Sequence, residues 1–297
     1  MSTTAIRTVP VDGIGPVEVT IAEYGSGQPF LLLHGGAGPA SVAGFAELFA
    51  ATHDVRVLVP THPGFGGTPR PEALNSIPGL AALYNTLLDR LDLADVTVIG
   101  NSIGGWITAE IALLRSPRVS GIVLIDAVGI EVPGHPVADF FALTMDQVFA
   151  RSFHNPEKFR VDPATLPPAA QAVAASNRAA ISAYTGASMT DPALAGRLAT
   201  LEIPTLVLWG DSDKIVDDDY GRAYAAAIPM ARFQLLAATG HSPQLETPDL
   251  VLHAIWDSAD TDFSAFLALR RPPTTTATKG PRPCPRPRSP ASRTAAT

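Results

Sequence analysis

The segment Thr97-Val98-Ile99-Gly100-Asn101-Ser102-Ile103-Gly104-Gly105-Trp106 constrains this chain more than any other stretch. A short apolar run meets Gly-x-Ser-x-Gly and passes into a helix-compatible sequence, the context in which a serine is pushed off a sheet edge on a sharp strand-to-helix turn. Such a turn strains the serine backbone, and side chains at positions 100 and 104 would meet the neighbouring strand and helix. Five-residue patterns of this kind also arise by chance. The motif gains meaning only if the remaining sequence supplies a parallel sheet and partners for the serine.

The sheet is legible on both sides of the motif. Ile6 to Val11 and Val17 to Tyr24 alternate around Asp12-Gly13-Ile14-Gly15 and predict an edge hairpin. Pro29 to Leu33 is a continuous apolar run, as in a strand covered on both faces. It ends in His34-Gly35-Gly36-Ala37-Gly38-Pro39, too rich in glycine to continue an element. A helix over Ser41 to Thr52, a strand over Asp54 to Pro60, a loop from His62 to Thr68 and a helix over Ile77 to Leu91 follow. After the central motif come a helix over Ile103 to Leu114 and a strand within Val119 to Val128. Strands alternating with helices of this length predict an α/β fold with a mostly parallel twisted sheet flanked by helices.

Between about Glu131 and Thr200 the rhythm breaks. This alanine-rich stretch holds no convincing strand and predicts helices over Val137 to Phe153, Ala169 to Tyr184 and Pro192 to Leu201. The parallel pattern resumes at Pro204 to Trp209, with a helix near Asp219 to Ala227, a strand over Arg232 to Leu236 and a last helix from Pro248. The expected organisation is a core in two parts, 1–130 and 201–270, a helical cap inserted at 131–200, and a tail at 271–297.

Charge separates the tail from the body. Seven of the 21 basic residues and none of the 28 acidic ones lie from Arg270 onward, which leaves the body near −14 and the tail near +7. An acidic body argues against nucleic-acid binding by the folded domain. The Pro- and Arg-rich tail has too few large apolar residues to offset the entropy of ordering and is expected to be disordered, with a basic tether to an anionic surface as the alternative. The polar start, Met1 to Val11, reads as neither signal peptide nor membrane helix, so the expected location is cytoplasmic. The single cysteine, Cys284, lies in the tail, which removes cysteine nucleophiles and cysteine metal clusters from the core.

A serine hydroxyl needs a nearby base, and the base needs an acid to orient it. Candidates follow the last two strands, where sites collect in open parallel sheets. They are Gly210-Asp211-Ser212-Asp213 and Thr239-Gly240-His241-Ser242. The order serine, aspartate, histidine, together with His34-Gly35-Gly36 and Gly100 to Gly104, resembles the α/β-hydrolase superfamily over most of residues 6–270. Any one of these four motifs is weak; in order they are specific.

The resemblance implies a serine hydrolase without cofactor or metal. Ser102 is the expected nucleophile, His241 the general base and Asp213 the acid, with Asp211 and Asp126 as alternatives for the acid. The N–H groups of Ile103 and Gly36 are the implied oxyanion donors, and Gly35, Asn101 and Phe141 the implied substrate contacts. His34 reads as structural, while His62 borders the site. Arg151, Arg160 and Arg178 read as solvated. A small carboxylic ester or lactone is the first expectation for the substrate. The oxyanion loop and the Gly-Asn-Ser elbow also resemble C–C hydrolases of ring-cleavage dienoates, although Ser242 stands where that subgroup usually has tryptophan. A small-molecule binding protein of the same fold is the third reading. A monomer or homodimer without nucleic-acid or membrane partners is expected.

Overall fold

The computed structural model describes residues 2–257. The expectations for the tail at 271–297, for Cys284 and for the far end of the last helix lie outside them. Eight strands form one sheet: β1 (Ser2–Val11), β2 (Gly15–Gly25), β3 (Gln28–Leu33), β4 (Val55–Pro60), β5 (Val96–Asn101), β6 (Val119–Ile125), β7 (Thr205–Gly210) and β8 (Ala231–Leu236). Their order is β1-β2-β4-β3-β5-β6-β7-β8. β1 and β2 pair antiparallel, β2 meets β4 antiparallel, and every pairing from β4 to β8 is parallel.

Helices connect the strands: α1 (Ala40–Thr52), α2 (Ile77–Arg90), α3 (Ile103–Leu113), α4 (Met145–Ser152), α5 (Pro168–Thr185), α6 (Leu194–Leu198), α7 (Asp218–Ala226), α8 (Pro243–Glu246) and α9 (Pro248–Leu252). Among the described residues no helix is long and apolar enough to cross a membrane.

The continuous apolar strands follow from burial on both faces. Successive residues of a strand point to opposite faces. Leu31, Leu33, Ile122, Leu124, Val207 and Trp209 enter the core beneath α2, α3 and α7. Phe30, Leu32, Val123, Ile125, Leu206 and Leu208 enter the core beneath α1. Helix α3 is buried on every side from Ile103 to Ala112, so it carries no polar stripe, as a wholly interior helix need not. Its one charge, Glu110, is held by both Nη groups of Arg197 on α6 at 2.7 Å.

The connection order changes direction between β3 and β5: β4 lies beyond β3, and β6 lies on the other side of β5. A crevice opens at such a switch point, at the carboxyl ends of the strands. The loops carrying Gly36, Ser102, Asp126, Asp213 and His241 all leave strands at that end.

Two of the three helices expected in 131–200 are shorter than their sequence pattern predicts, while α5 runs one residue beyond each end of the expected Ala169 to Tyr184. The helix expected over Val137 to Phe153 begins only at Met145, because Thr144 and Gln147 form a reciprocal capping box there. Ahead of it, the Ala138 N–H donates to Ile215 O at 2.8 Å, which ties the chain down as a turn. Arg178, expected to be solvated, is half-buried; its Nη2 donates to the carbonyls of Phe140 and Phe141 at 3.0 and 2.7 Å. The helix expected over Pro192 to Leu201 contracts to Leu194–Leu198.

Candidate active site

Ser102 stands at the end of β5 with φ 57° and ψ −118°, a left-handed conformation for a residue with a side chain. Two neighbours explain the turn. A Cβ on Gly100 would run into the Gly104 carbonyl and the Thr108 hydroxyl, and one on Gly104 into the carbonyls of Leu33 and His34. Strand and helix backbones therefore approach as closely as glycine allows, and the serine side chain projects from the bend.

The Ser102 hydroxyl lies 2.9 Å from His241 Nε2, and His241 Nδ1 lies 2.7 Å from Asp213 Oδ2. A carboxylate only accepts, so Nδ1 carries the proton and Nε2 is left to accept from the serine O–H. The second Asp213 oxygen accepts the N–H groups of Ile215 at 2.7 Å and Val216 at 3.2 Å. All three side chains are buried. The structure thus brings together the serine, base and acid singled out in the sequence, and it separates Asp213 from its rivals. Asp211 turns away to accept the N–H groups of Ala238 and Thr239 and the Ser212 hydroxyl. Asp126 lies behind Asp213, with one oxygen accepting the Gly210 N–H at 2.8 Å.

Ile103 opens α3, where the first N–H groups lack carbonyl partners within the helix. Gly35 packs on the elbow: a Cβ there would stand 3.1 Å from Ser102 Cβ. Gly36 lies beneath Ile181 of α5, whose Cδ1 would be 2.8 Å from a Cβ on the glycine. The next turn of α5 ties the loops after β3 and β4 together through Asn177, which accepts the Gly66 N–H at 2.9 Å and donates to Ala37 O. Asn101, expected to touch substrate, is used beneath the elbow. Its Nδ2 donates to the carbonyls of Ile125 and His241 at 3.2 and 3.0 Å, and its Oδ1 accepts from Gln244. Phe141 is half-buried against the Arg178 guanidinium, 5.6 Å from its ring centre.

His34 and His62 are completely buried and stack at 3.8 Å. His62 Nε2 donates to His34 O, Tyr84 lies on His62 Nδ1, and the His62 N–H donates to His34 Nε2. Burial holds His34 neutral, with its pKa lowered to about 4, and lowers that of His62 as well. Both rings brace the loops after β3 and β4.

Sequence reasoning missed the clamp on the loop that carries His241. The Glu246 carboxylate accepts the N–H groups of Gly240, His154 and Asn155 at 2.8, 3.0 and 2.8 Å. Beside it, His241 N–H donates to Ser152 O at 2.7 Å, and a Cβ on Gly240 would collide with the Ser152 backbone. Glu246→Ala is expected to cost about 2 kcal/mol of stability, since it strips a charged acceptor from three donors. Thermal or denaturant unfolding measures this; an unchanged midpoint would show that the clamp carries no load.

A cavity of about 570 Å³ lies at the amino ends of β5 to β7, beside Asp95, Ser116, Val119 and Ile203. A second, about 350 Å³, lies between α4 and α5 and is lined by apolar groups of Met145, Phe149, Val161 and Leu166.

A family model described as "Alpha/beta hydrolase family" matches residues 30–254. Lipase 3 of Moraxella sp. (strain TA144) is 26% identical over 254 residues, 81% of this chain and 78% of that protein. The 2-hydroxy-6-oxo-6-(2'-aminophenyl)hexa-2,4-dienoic acid hydrolase of Metapseudomonas resinovorans is 25% identical, covering 79% of this chain and 85% of its own length. Among solved structures, a thermophilic esterase from Thermogutta terrifontis superposes with a TM-score of 0.70 at 22% identity, over 86% of this chain and 98% of that one.

Proposed function

The chain belongs to the alpha/beta hydrolase family and is a hydrolase, and from that premise we propose that it cleaves a small carboxylic ester or lactone through an acyl-enzyme on Ser102. The observation that carries this reading is the unbroken line from the Ser102 hydroxyl through both ring nitrogens of His241 to Asp213, at 2.9 and 2.7 Å. Asp213 holds the ring as the tautomer that accepts at Nε2. As Ser102 Oγ attacks the ester carbonyl carbon, its proton passes to Nε2. The imidazolium is then stabilised by Asp213, and the carbonyl oxygen becomes an anion facing the N–H groups of Ile103 and Gly36. Collapse expels the alkoxide, which takes the proton from Nε2. A water repeats the cycle on the acyl-enzyme and releases the acid. The helices of 131–200 act in this reading as the cap over the crevice, with α5 closing it above Gly36 and Phe141 available to substrate.

Attack on a vinylogous diketone is the second reading, supported by the similarity to the dienoic acid hydrolase. Against it stands Ser242, which gives the base loop no aromatic side chain next to His241. Two measurements test the proposal. A serine-directed fluorophosphonate should label the wild type and not Ser102→Ala; a wild type that resists the reagent would mark a binding protein. Short p-nitrophenyl esters should then turn over at least a hundredfold faster than a ring-cleavage dienoate, and the reverse order would replace ester cleavage by C–C cleavage.

A further inference from the structure

Asp126 is a buried carboxyl that the chemistry above does not use. It follows the last residue of β6 with zero exposure and a left-handed backbone, φ 45°, which is costly for an aspartate. Oxygen and nitrogen ligand atoms of Asp126, Asp213 and His241 all lie within 4.8 Å of one another.

The two carboxyls are provided for unequally. Asp213 accepts from Ile215 N–H, Val216 N–H and His241 Nδ1–H. Asp126 has the Gly210 N–H on Oδ1 alone, and its Oδ2 is buried without a hydrogen-bond donor. Two adjacent carboxyls in a dry site do not both ionise, and the charge settles where the donors are. Here that is Asp213. The orphaned Asp126 oxygen becomes a donor once it carries the proton, and the neighbouring carboxylate is the acceptor in reach.

We propose that Asp126 is a positioning residue: a neutral carboxylic acid that hydrogen-bonds the Asp213 carboxylate and sets how strongly that carboxylate holds the His241 imidazolium. Burial, and then the charge of Asp213, push the Asp126 carboxyl well above the usual carboxylate range. The titratable groups facing it are Asp213 from the loop after β7 and His241 from the loop after β8. The one charged group of α3, Glu110, is paired with Arg197. The inference rests on the reading of Ser102, His241 and Asp213 as the catalytic machinery.

Its test has one readout that needs no turnover. Infrared difference spectroscopy at neutral pH should show the carbonyl stretch of a protonated carboxylic acid in the wild type, and Asp126→Asn should remove it. If Asp126→Asn removes no such band, the proposal fails even when the triad stands. If the band is lost but the enzyme has no serine-dependent esterase activity, the reading of the triad fails instead.

The second readout is the acid limb of kcat/KM against pH. Asp126→Ala deletes the donor, so Asp213 concentrates its charge on His241 and the limb should move up by roughly half a pH unit to one unit. Asp126→Asn keeps an N–H donor and should return the limb towards the wild-type position. An ionised Asp126 would give the opposite sign, because removing a negative charge beside His241 lowers the limb in both variants. A limb that moves in neither variant would make the residue merely structural. Should Asp126→Ala not fold, the band and the limb of Asp126→Asn still decide between the neutral and the ionised acid.

Discussion

Ser102→Ala is expected to lower kcat on the best ester substrate by about a millionfold, the scale on which serine hydrolases lose turnover when the nucleophile is removed. Among the described residues no other hydroxyl is hydrogen-bonded to His241. In the described arrangement the His241 Nε2 lone pair faces the Ser102 hydroxyl and nothing else. Alanine shares the left-handed strain of the elbow, so stability should stay within about 0.5 kcal/mol and the loss should appear in kcat with folding intact. A residual rate of about 10³-fold to 10⁴-fold over water should persist, because the Ile103 and Gly36 N–H groups and substrate binding survive the change. Activity within tenfold of wild type would place the attacking group elsewhere.

Asp213→Asn should cost about 10⁴-fold in kcat, again with the fold retained. The amide can present its NH₂ to Nδ1, which reverses the tautomer: Nδ1 accepts, Nε2 carries the proton, and His241 no longer accepts from Ser102. The other two acids should behave differently. Asp211 serves the turn at Ala238 and Thr239, so its replacement by asparagine should weaken that turn and leave turnover within about tenfold. Comparing the steady-state kinetics of Asp213→Asn and Asp211→Asn separates the two; a larger loss in Asp211→Asn would move the acid to that residue.

Much of this arrangement was legible beforehand because it depends on local rules. The elbow announces itself through Gly100 and Gly104, whose Cβ atoms have no room. The strands announce themselves as unbroken apolar runs because both faces of the sheet are covered. The resemblance to α/β hydrolases added the order of the acid and base loops, and the hydrogen bonds then favoured Asp213 over Asp211. What sequence could not carry is contact between distant segments. Glu246 meets His154 and Asn155 across some ninety residues, and Asn177 meets Ala37 across 140. No spacing rule signals such partners. Asn101 illustrates the converse: its place in the elbow suggested a substrate contact, but its side chain spans from Ile125 to the carbonyl of His241. The first and last helices expected in 131–200 were overextended for another reason. Alanine-rich sequence favours helix wherever nothing interrupts it, and the capping box at Thr144 and the tether from Ala138 to Ile215 decide where helix begins.

The end of α4 has a consequence for how this protein can be rebuilt. Arg151 O receives the Lys214 N–H from the loop that carries Asp213, and Ser152 O receives the His241 N–H from the loop after β8. The last turn of α4 is thus the strut on which the loops carrying Asp213 and His241 are hung. An exchange of the insertion with that of a relative transfers specificity cleanly only if the splice leaves 151–155 in place. Cut inside that strut, the graft is expected to shift Asp213 and His241 along with the pocket, and such a chimera should turn over its new substrate more slowly than one that keeps 151–155.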